Sequence, residues 1–166
     1  IWYTAVEHQS FPLLINSGHG DFEDLTLASG LHATSDMSGW SNGIFDFDND
    51  GAKDLFVARA NVLDNISELT PSRKYPESNS VFRNLGNGKF REVSATAGAD
   101  LQMEAAHRGA AFGDLFNDGR IDAVVSVLGG PVAAKIFETT VVSCDALAQG
   151  LRELSCRNRG ILISLS

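Results

Sequence analysis

Cysteine, proline and long apolar runs are all scarce in this sequence, and each scarcity narrows the classes of protein it can be. Two cysteines, Cys144 and Cys156, form no C-x-x-C metal or redox signature and define no redox compartment. No run of 18 apolar residues is present, so the sequence predicts no membrane-spanning helix. With only four prolines and 43% hydrophobic residues, the composition is that of a globular domain.

Basic residues are also in short supply. There are 13 lysines and arginines against 21 aspartates and glutamates, which leaves a net charge of -8. A nucleic-acid partner needs a lysine- and arginine-rich face to meet the phosphate backbone, so we expect no nucleic-acid binding. An excess of acidic residues instead suits a protein that binds cations.

The chain contains an internal repeat, in which residues 16–57 align without a gap to residues 84–125. Glycines, a phenylalanine and acidic residues match at one constant offset, and chance explains matches among such residues poorly. In the most acidic part, Asp46, Asn49, Asp50, Gly51, Asp54 and Val57 return as Asp114, Asn117, Asp118, Gly119, Asp122 and Val125. We therefore treat the two segments as copies of one structural unit.

Each copy has the pattern of four short β-strands. A hairpin with a glycine-rich turn comes first, followed by a strand of small residues, an acidic loop and a buried apolar strand. A four-stranded unit that repeats predicts an all-β fold made of β-propeller blades or a stacked β-array. The predicted organisation is unit 1 at residues 1–62, a polar inter-blade excursion at 63–79, unit 2 at 80–137 and an atypical tail at 138–166. Since a closed propeller needs at least about four blades, we expect this chain to be a fragment of a larger one.

The first acidic loop, Asp46 to Asp54, has the chemistry of a calcium site. Calcium takes six to eight oxygen ligands at roughly 2.3–2.6 Å, and alternate residues of a tight loop direct their side chains to one centre. The predicted ligands are the carboxylates of Asp46, Asp48, Asp50 and Asp54 and the carbonyl of Ala52. Without a cation, four aspartates in nine residues would repel one another.

Two other interpretations of this loop were compared with the calcium site. An EF-hand requires a glutamate at loop position 12, where this chain has Val57, and flanking helices where it has β-patterned segments. A solvated turn could use Asp, Asn and Gly for backbone geometry alone. The concentration of acids at alternate positions favours calcium over both.

The second loop is a weaker copy. Phe116 stands where the first loop has Asp48, so one carboxylate is lost. The remaining predicted ligands are Asp114, Asp118, Asp122 and the carbonyl of Arg120, with water completing the shell. A solvated turn stays a more serious alternative here than in the first loop.

These motifs resemble a known repeat. The segments 46–57 and 112–122, with the hairpins 14–22 and 82–90, look like the FG-GAP/VCBS repeat, the blade of integrin-α-type β-propellers. The stretches 92–98 and 107–114 are most similar to bacterial cartilage-acidic-protein-like proteins, which carry an ASPIC/UnbV segment after the propeller. The resemblance covers roughly residues 1 to 137. It implies structural calcium at the loop aspartates and no catalytic residue.

The sequence thus predicts a calcium-stabilised, non-catalytic binding or adhesion module. The resemblance places it outside cells, secreted or in the periplasm or on the cell surface if bacterial, with an unknown protein or carbohydrate ligand. The alternative is the scaffold portion of a propeller enzyme whose active site lies in other blades. The tail at 138–166 has no blade signature, and a frameshift or a truncated reading frame is our hypothesis for its origin.

Overall fold

The computed structural model describes residues 1–129 and 133–136. Within them the regular structure is mostly antiparallel β, which confirms the predicted all-β class. The helices are short: α1 and α2 are single turns of four residues, and two 3-10 segments lie at Leu31–Asp36 and Ala99–Gln102. The strand and helix bounds are β1 Leu14–Gly18, β2 Asp21–Asp24, α1 Thr26–Ser29, β3 Gly39–Phe45, β4 Asp54–Arg59, α2 Ile66–Leu69, β5 Ser80–Asn84, β6 Phe90–Glu92, β7 His107–Gly113, β8 Asp122–Val127 and β9 Ala133–Ile136.

The strands form three antiparallel sheets, with orders β1-β2, β3-β4-β5-β6 and β7-β8-β9. The four-stranded sheet therefore joins β3 and β4 of the first sequence copy to the hairpin β5–β6 of the second. The polar segment 63–79 leads from β4 to β5. The unit boundaries predicted above stay a prediction, and the tail at 138–166, with both cysteines, lies outside the described residues.

Strand β4 is an inner strand of the larger sheet, and all six of its residues are buried. Side chains alternate between the two faces of a strand, so β4 contributes to a different core on each side. Leu55 and Val57 enter one apolar cluster, and Phe56 and Ala58 enter the other. The first cluster holds Trp2, Phe11, Leu13, Leu31 and Phe82; the second holds Phe47, Val81, Leu101, Ala123 and Val125.

The second cluster is where two sheets meet, because Ala123 and Val125 belong to β8 of the three-stranded sheet. Strands β3 and β7 approach each other closely at this junction, which explains the glycine at position 43. A Cβ added at Gly43 would lie 2.5 Å from the ring of Phe112, so only glycine fits there without moving that ring. The acidic loops follow β3 and β7 directly, and the junction therefore positions both of them.

Candidate metal centre

The two acidic loops have the same backbone conformation. We call residues 46–54 loop 1, which links β3 to β4, and residues 114–122 loop 2, which links β7 to β8. Asn49 and Asn117 both have positive φ, 57° and 56°. Gly51 and Gly119 follow at 89° and 83°, in the left-handed region that glycine occupies without steric cost. The repeat seen in the sequence is thus a repeat of local structure.

In loop 1 the carboxylates of Asp46, Asp48 and Asp50 converge. One oxygen from each lies within 4.8 Å of the other two. Two oxygens that both sit about 2.3–2.6 Å from one calcium ion can be no more than about 5.2 Å apart, so the three fit one ion. Asp48 and Asp50 are exposed and Asp46 is half-buried, which leaves the centre open to solvent.

Hydrogen bonds inside loop 1 hold these carboxylates in place. Asp46 Oδ1 accepts the N–H of Asp50 at 3.0 Å, and its Oδ2 accepts the N–H of Gly51 at 2.9 Å. Asp50 Oδ1 accepts the N–H of Ala52 at 2.9 Å. That N–H, with a smaller contribution from the Arg83 guanidinium, lowers the pKa of Asp50 below its ordinary value. The loop therefore favours the ionised form of Asp50 and orients the carboxylates of Asp46 and Asp50.

Arg83, on strand β5, reaches across to the same acids. Its Nε lies 2.8 Å from Asp48 Oδ2, and its Nη2 lies 3.0 Å from Asp50 Oδ2. Nothing in the sequence near the loop signals this contact, because Arg83 lies 33 residues after Asp50. It is the main feature of the centre that sequence reasoning missed.

Asp54 lies beneath the loop and outside the group of three. It is 1% exposed, and burial raises the pKa of its carboxyl. Its Oδ2 accepts the N–H of Phe47 at 3.2 Å, and its Oδ1 accepts the N–H of Asn84 at 2.8 Å. Asp54 thus fastens the loop to its own first turn and to strand β5. Its predicted role as a ligand, like that of the Ala52 carbonyl, stays a prediction.

Loop 2 repeats the backbone hydrogen bonds but not the convergence of three acids. Asp114 accepts the N–H of Asp118 at 3.0 Å and that of Gly119 at 2.9 Å, as Asp46 does in loop 1. Phe116 is 38% exposed, and its side chain supplies no oxygen. Among the described residues, the grouping of three acidic side chains seen in loop 1 does not recur in loop 2.

A guanidinium also contacts an acid of loop 2, and here it comes from the loop itself. Arg120 places Nη2 at 2.8 Å and Nε at 3.1 Å from Asp118 Oδ2. This contact is the main cause of the lowered pKa of Asp118. Ligation by Asp114, Asp118, Asp122 and the Arg120 carbonyl stays a prediction.

Asp122 occupies the position of Asp54 and is equally buried, at 1% exposed. Its Oδ2 accepts the N–H of Leu115 at 2.8 Å, but its Oδ1 has no hydrogen-bond partner among the described residues. In loop 1 the equivalent oxygen receives the N–H of Asn84. Strand β9 pairs with β8 where β5 pairs with β4.

The two loops lie side by side. The side-chain amide of Asn49 donates a hydrogen bond of 3.2 Å to the carbonyl of Gly119.

None of the helices in the described part of the chain is long and apolar enough to cross a membrane.

Comparison with known proteins agrees with this architecture. The family described as FG-GAP-like repeat matches residues 64–125, which include β5 to β7, all of loop 2 and the start of β8. The match covers less than half of the chain and does not reach loop 1. A search of curated proteins finds no match to this sequence. The chain therefore contains an FG-GAP-like repeat at residues 64–125, and its antiparallel sheets are those of an all-β, propeller-blade fold.

Proposed function

We propose that this protein is a calcium-stabilised, non-catalytic binding or adhesion module that works outside cells. The observation that carries the proposal is the convergence of Asp46, Asp48 and Asp50 within 4.8 Å on a loop whose backbone is already folded. Such oxygens are the ligands that calcium prefers, and a preformed loop lowers the entropy cost of binding it.

Calcium would stabilise the blade by joining parts of loop 1 that otherwise repel. The loop connects β3 to the buried strand β4, and Phe47 lies in the core between two sheets. With Asp54 and the carbonyl of Ala52 added, the five predicted ligands span the whole loop from one strand to the next. Neutralising their charge would favour the folded hairpin over the unfolded chain, since only the folded loop brings the ligands together.

The FG-GAP-like repeat supports the non-catalytic proposal over the enzyme-scaffold alternative, because such repeats are generally found in binding modules. It also supports an extracellular location, where calcium is abundant enough for sites of modest affinity. The partner would be a protein or a carbohydrate. The finer relationship to bacterial cartilage-acidic-protein-like proteins with an ASPIC/UnbV segment stays a prediction from the sequence.

Calcium is expected to raise the melting temperature of the chain, and Asp50→Asn to remove most of that rise. For a dissociation constant of about 0.1–1 mM, 10 mM calcium would add roughly 1–3 kcal/mol to the free energy of unfolding. That corresponds to a shift of several degrees, on the order of 3–10 °C, measurable by calorimetry in calcium and in chelator.

Asp21→Asn is the matched control for that experiment. It makes the same charge change on an exposed residue, whose backbone carbonyl rather than its carboxylate accepts the hydrogen bond from Ser17. It should keep the full calcium effect. A wild-type melting curve that is the same in calcium and in chelator would rule out structural calcium.

Phe116→Asp is expected to strengthen calcium binding at loop 2. The substitution restores a carboxylate at the loop position that Asp48 holds in loop 1, and Phe116 is exposed enough to be replaced without opening the core. Calorimetric titration should then report an additional or tighter calcium site compared with the wild type. An unchanged titration would mean that the Arg120–Asp118 contact, or the Asp122 oxygen that has no partner among the described residues, prevents calcium binding at loop 2.

A further inference from the structure

The guanidinium of Arg83 contacts carboxylates that a cation bound to loop 1 would also use as ligands. It contacts Oδ2 of both Asp48 and Asp50, at 2.8 Å and 3.0 Å. These are two of the three aspartates that converge at the centre. Arg83 comes from a different strand and is 44% exposed, so neither the loop sequence nor core packing requires it there.

We propose that Arg83 is the internal counter-ion of loop 1, and that calcium binds by displacing its guanidinium from Asp48 and Asp50. Arg83 would then set the calcium affinity of the loop. The inference rests on the proposed function, since it concerns the regulation of the same site.

Charge and geometry both favour displacement of the Arg83 guanidinium by calcium over simultaneous binding of both cations to Asp48 and Asp50. Calcium needs six to eight oxygens, and the guanidinium already holds one oxygen of each of two ligands. A divalent ion and a guanidinium on the same two carboxylates would also repel each other. A shallow cavity of about 280 Å³ beside the loop, lined by Asp50, Ala52, Arg83, Asn84, Leu85 and Gly86, gives the arginine room to turn away.

Loop 2 supports the same interpretation by a different route. The register of β8 with β9 places Ile136 at the sheet position of Arg83, so the strand there brings no arginine. Instead Arg120, within loop 2, puts its guanidinium on Asp118, the counterpart of Asp50. In each loop a guanidinium thus contacts the fifth residue, which is Asp50 in loop 1 and Asp118 in loop 2. The two arginines come from different elements.

The test is calorimetric titration of the full chain with calcium chloride, comparing wild type with Arg83→Gln. Exposed ion pairs contribute little individually, so we expect Arg83→Gln to bind calcium about two- to fivefold more tightly at low salt. The difference should shrink at high salt because the exposed ion pair is screened. In chelator, the variant should melt at a lower temperature than the wild type, since the unloaded loop loses its counter-ion.

Arg91→Gln is the control, because Arg91 is exposed and directly opposite Arg83 on strand β6. It removes the same charge nearby and should leave the calcium affinity close to that of wild type. Calcium binding that is equal or weaker in Arg83→Gln would overturn the exchange and leave the calcium site intact. Absence of binding in both wild type and Arg83→Gln would overturn the proposed function and the exchange with it.

Discussion

Replacing Phe47 with alanine is expected to lower the free energy of unfolding by about 3–5 kcal/mol, the usual cost of removing a buried aromatic side chain. Phe47 is 2% exposed although it belongs to an acidic loop. Its ring lies 5.9 Å from that of Phe45, 6.4 Å from that of Phe56 and 6.0 Å from that of Phe112, measured between centroids. The loop is therefore anchored in the core at the junction of two sheets.

The same substitution should weaken calcium binding, although Phe47 offers no ligand. Phe47 follows Asp46 directly, and its N–H donates to Asp54. Without the ring, the first turn of loop 1 loses its attachment, and the three carboxylates must be ordered at the expense of binding energy. Urea unfolding in chelator measures the stability, and titration of the folded variant measures the calcium affinity.

Phe116→Ala is the matched control, since Phe116 lies in loop 2 and is 38% exposed. Its loss should cost less than about 1 kcal/mol, as is usual for surface substitutions. If the two alanine variants were equally stable, the aromatic junction would not be what holds loop 1 in place.

The second large effect concerns Glu77, whose carboxylate is expected to destabilise the fold as the pH rises. Glu77 is 8% exposed, and burial raises the pKa of its carboxyl from 4.5 to about 7, against the attraction of Arg59. Glu7, Arg73 and the N–H of Ser38 also act on it, with Glu7 raising the pKa and the other two lowering it.

The sign follows from proton counting. Between about pH 4.5 and 7 the folded state keeps the Glu77 proton while the unfolded state has lost it, so stability falls with rising pH. The stabilising contribution is complete below the unfolded pKa and is lost as the pH passes the folded one. A shift of this size corresponds to roughly 3 kcal/mol.

Glu77→Gln removes the titrating group while keeping its shape. The unfolding free energy of wild type minus that of Glu77→Gln should therefore fall by roughly 3 kcal/mol between pH 4.5 and 8. Glu104→Gln provides the control, because the Glu104 carboxylate is 48% exposed and pairs with Lys74 at 2.8 Å. A flat difference for Glu77→Gln would show that Glu77 ionises normally in the folded protein.

Much of this structure could be predicted from local sequence. Strands β3, β4, β7 and β8 fall where small or apolar runs flank the acidic loops, because alternation and turn residues act over a few positions. The convergence of Asp46, Asp48 and Asp50 is local in the same way, since alternate residues of one tight turn face one centre. The family match at residues 64–125 agrees with the FG-GAP resemblance seen in the sequence.

What joins distant parts of the chain could not be predicted in this way. The four-stranded sheet pairs β4 with β5 of the next sequence copy, and that pairing alone brings Arg83 to Asp48 and Asp50 and the Asn84 N–H to Asp54. It also buries Glu77 near Arg59. By itself the sequence determined that two acidic, glycine-containing loops occur between strands, because spacing within a turn is a local property. Only the tertiary structure decided that the guanidinium of Arg83 contacts the acids of loop 1, since sheet order and register are set by burial over the whole fold.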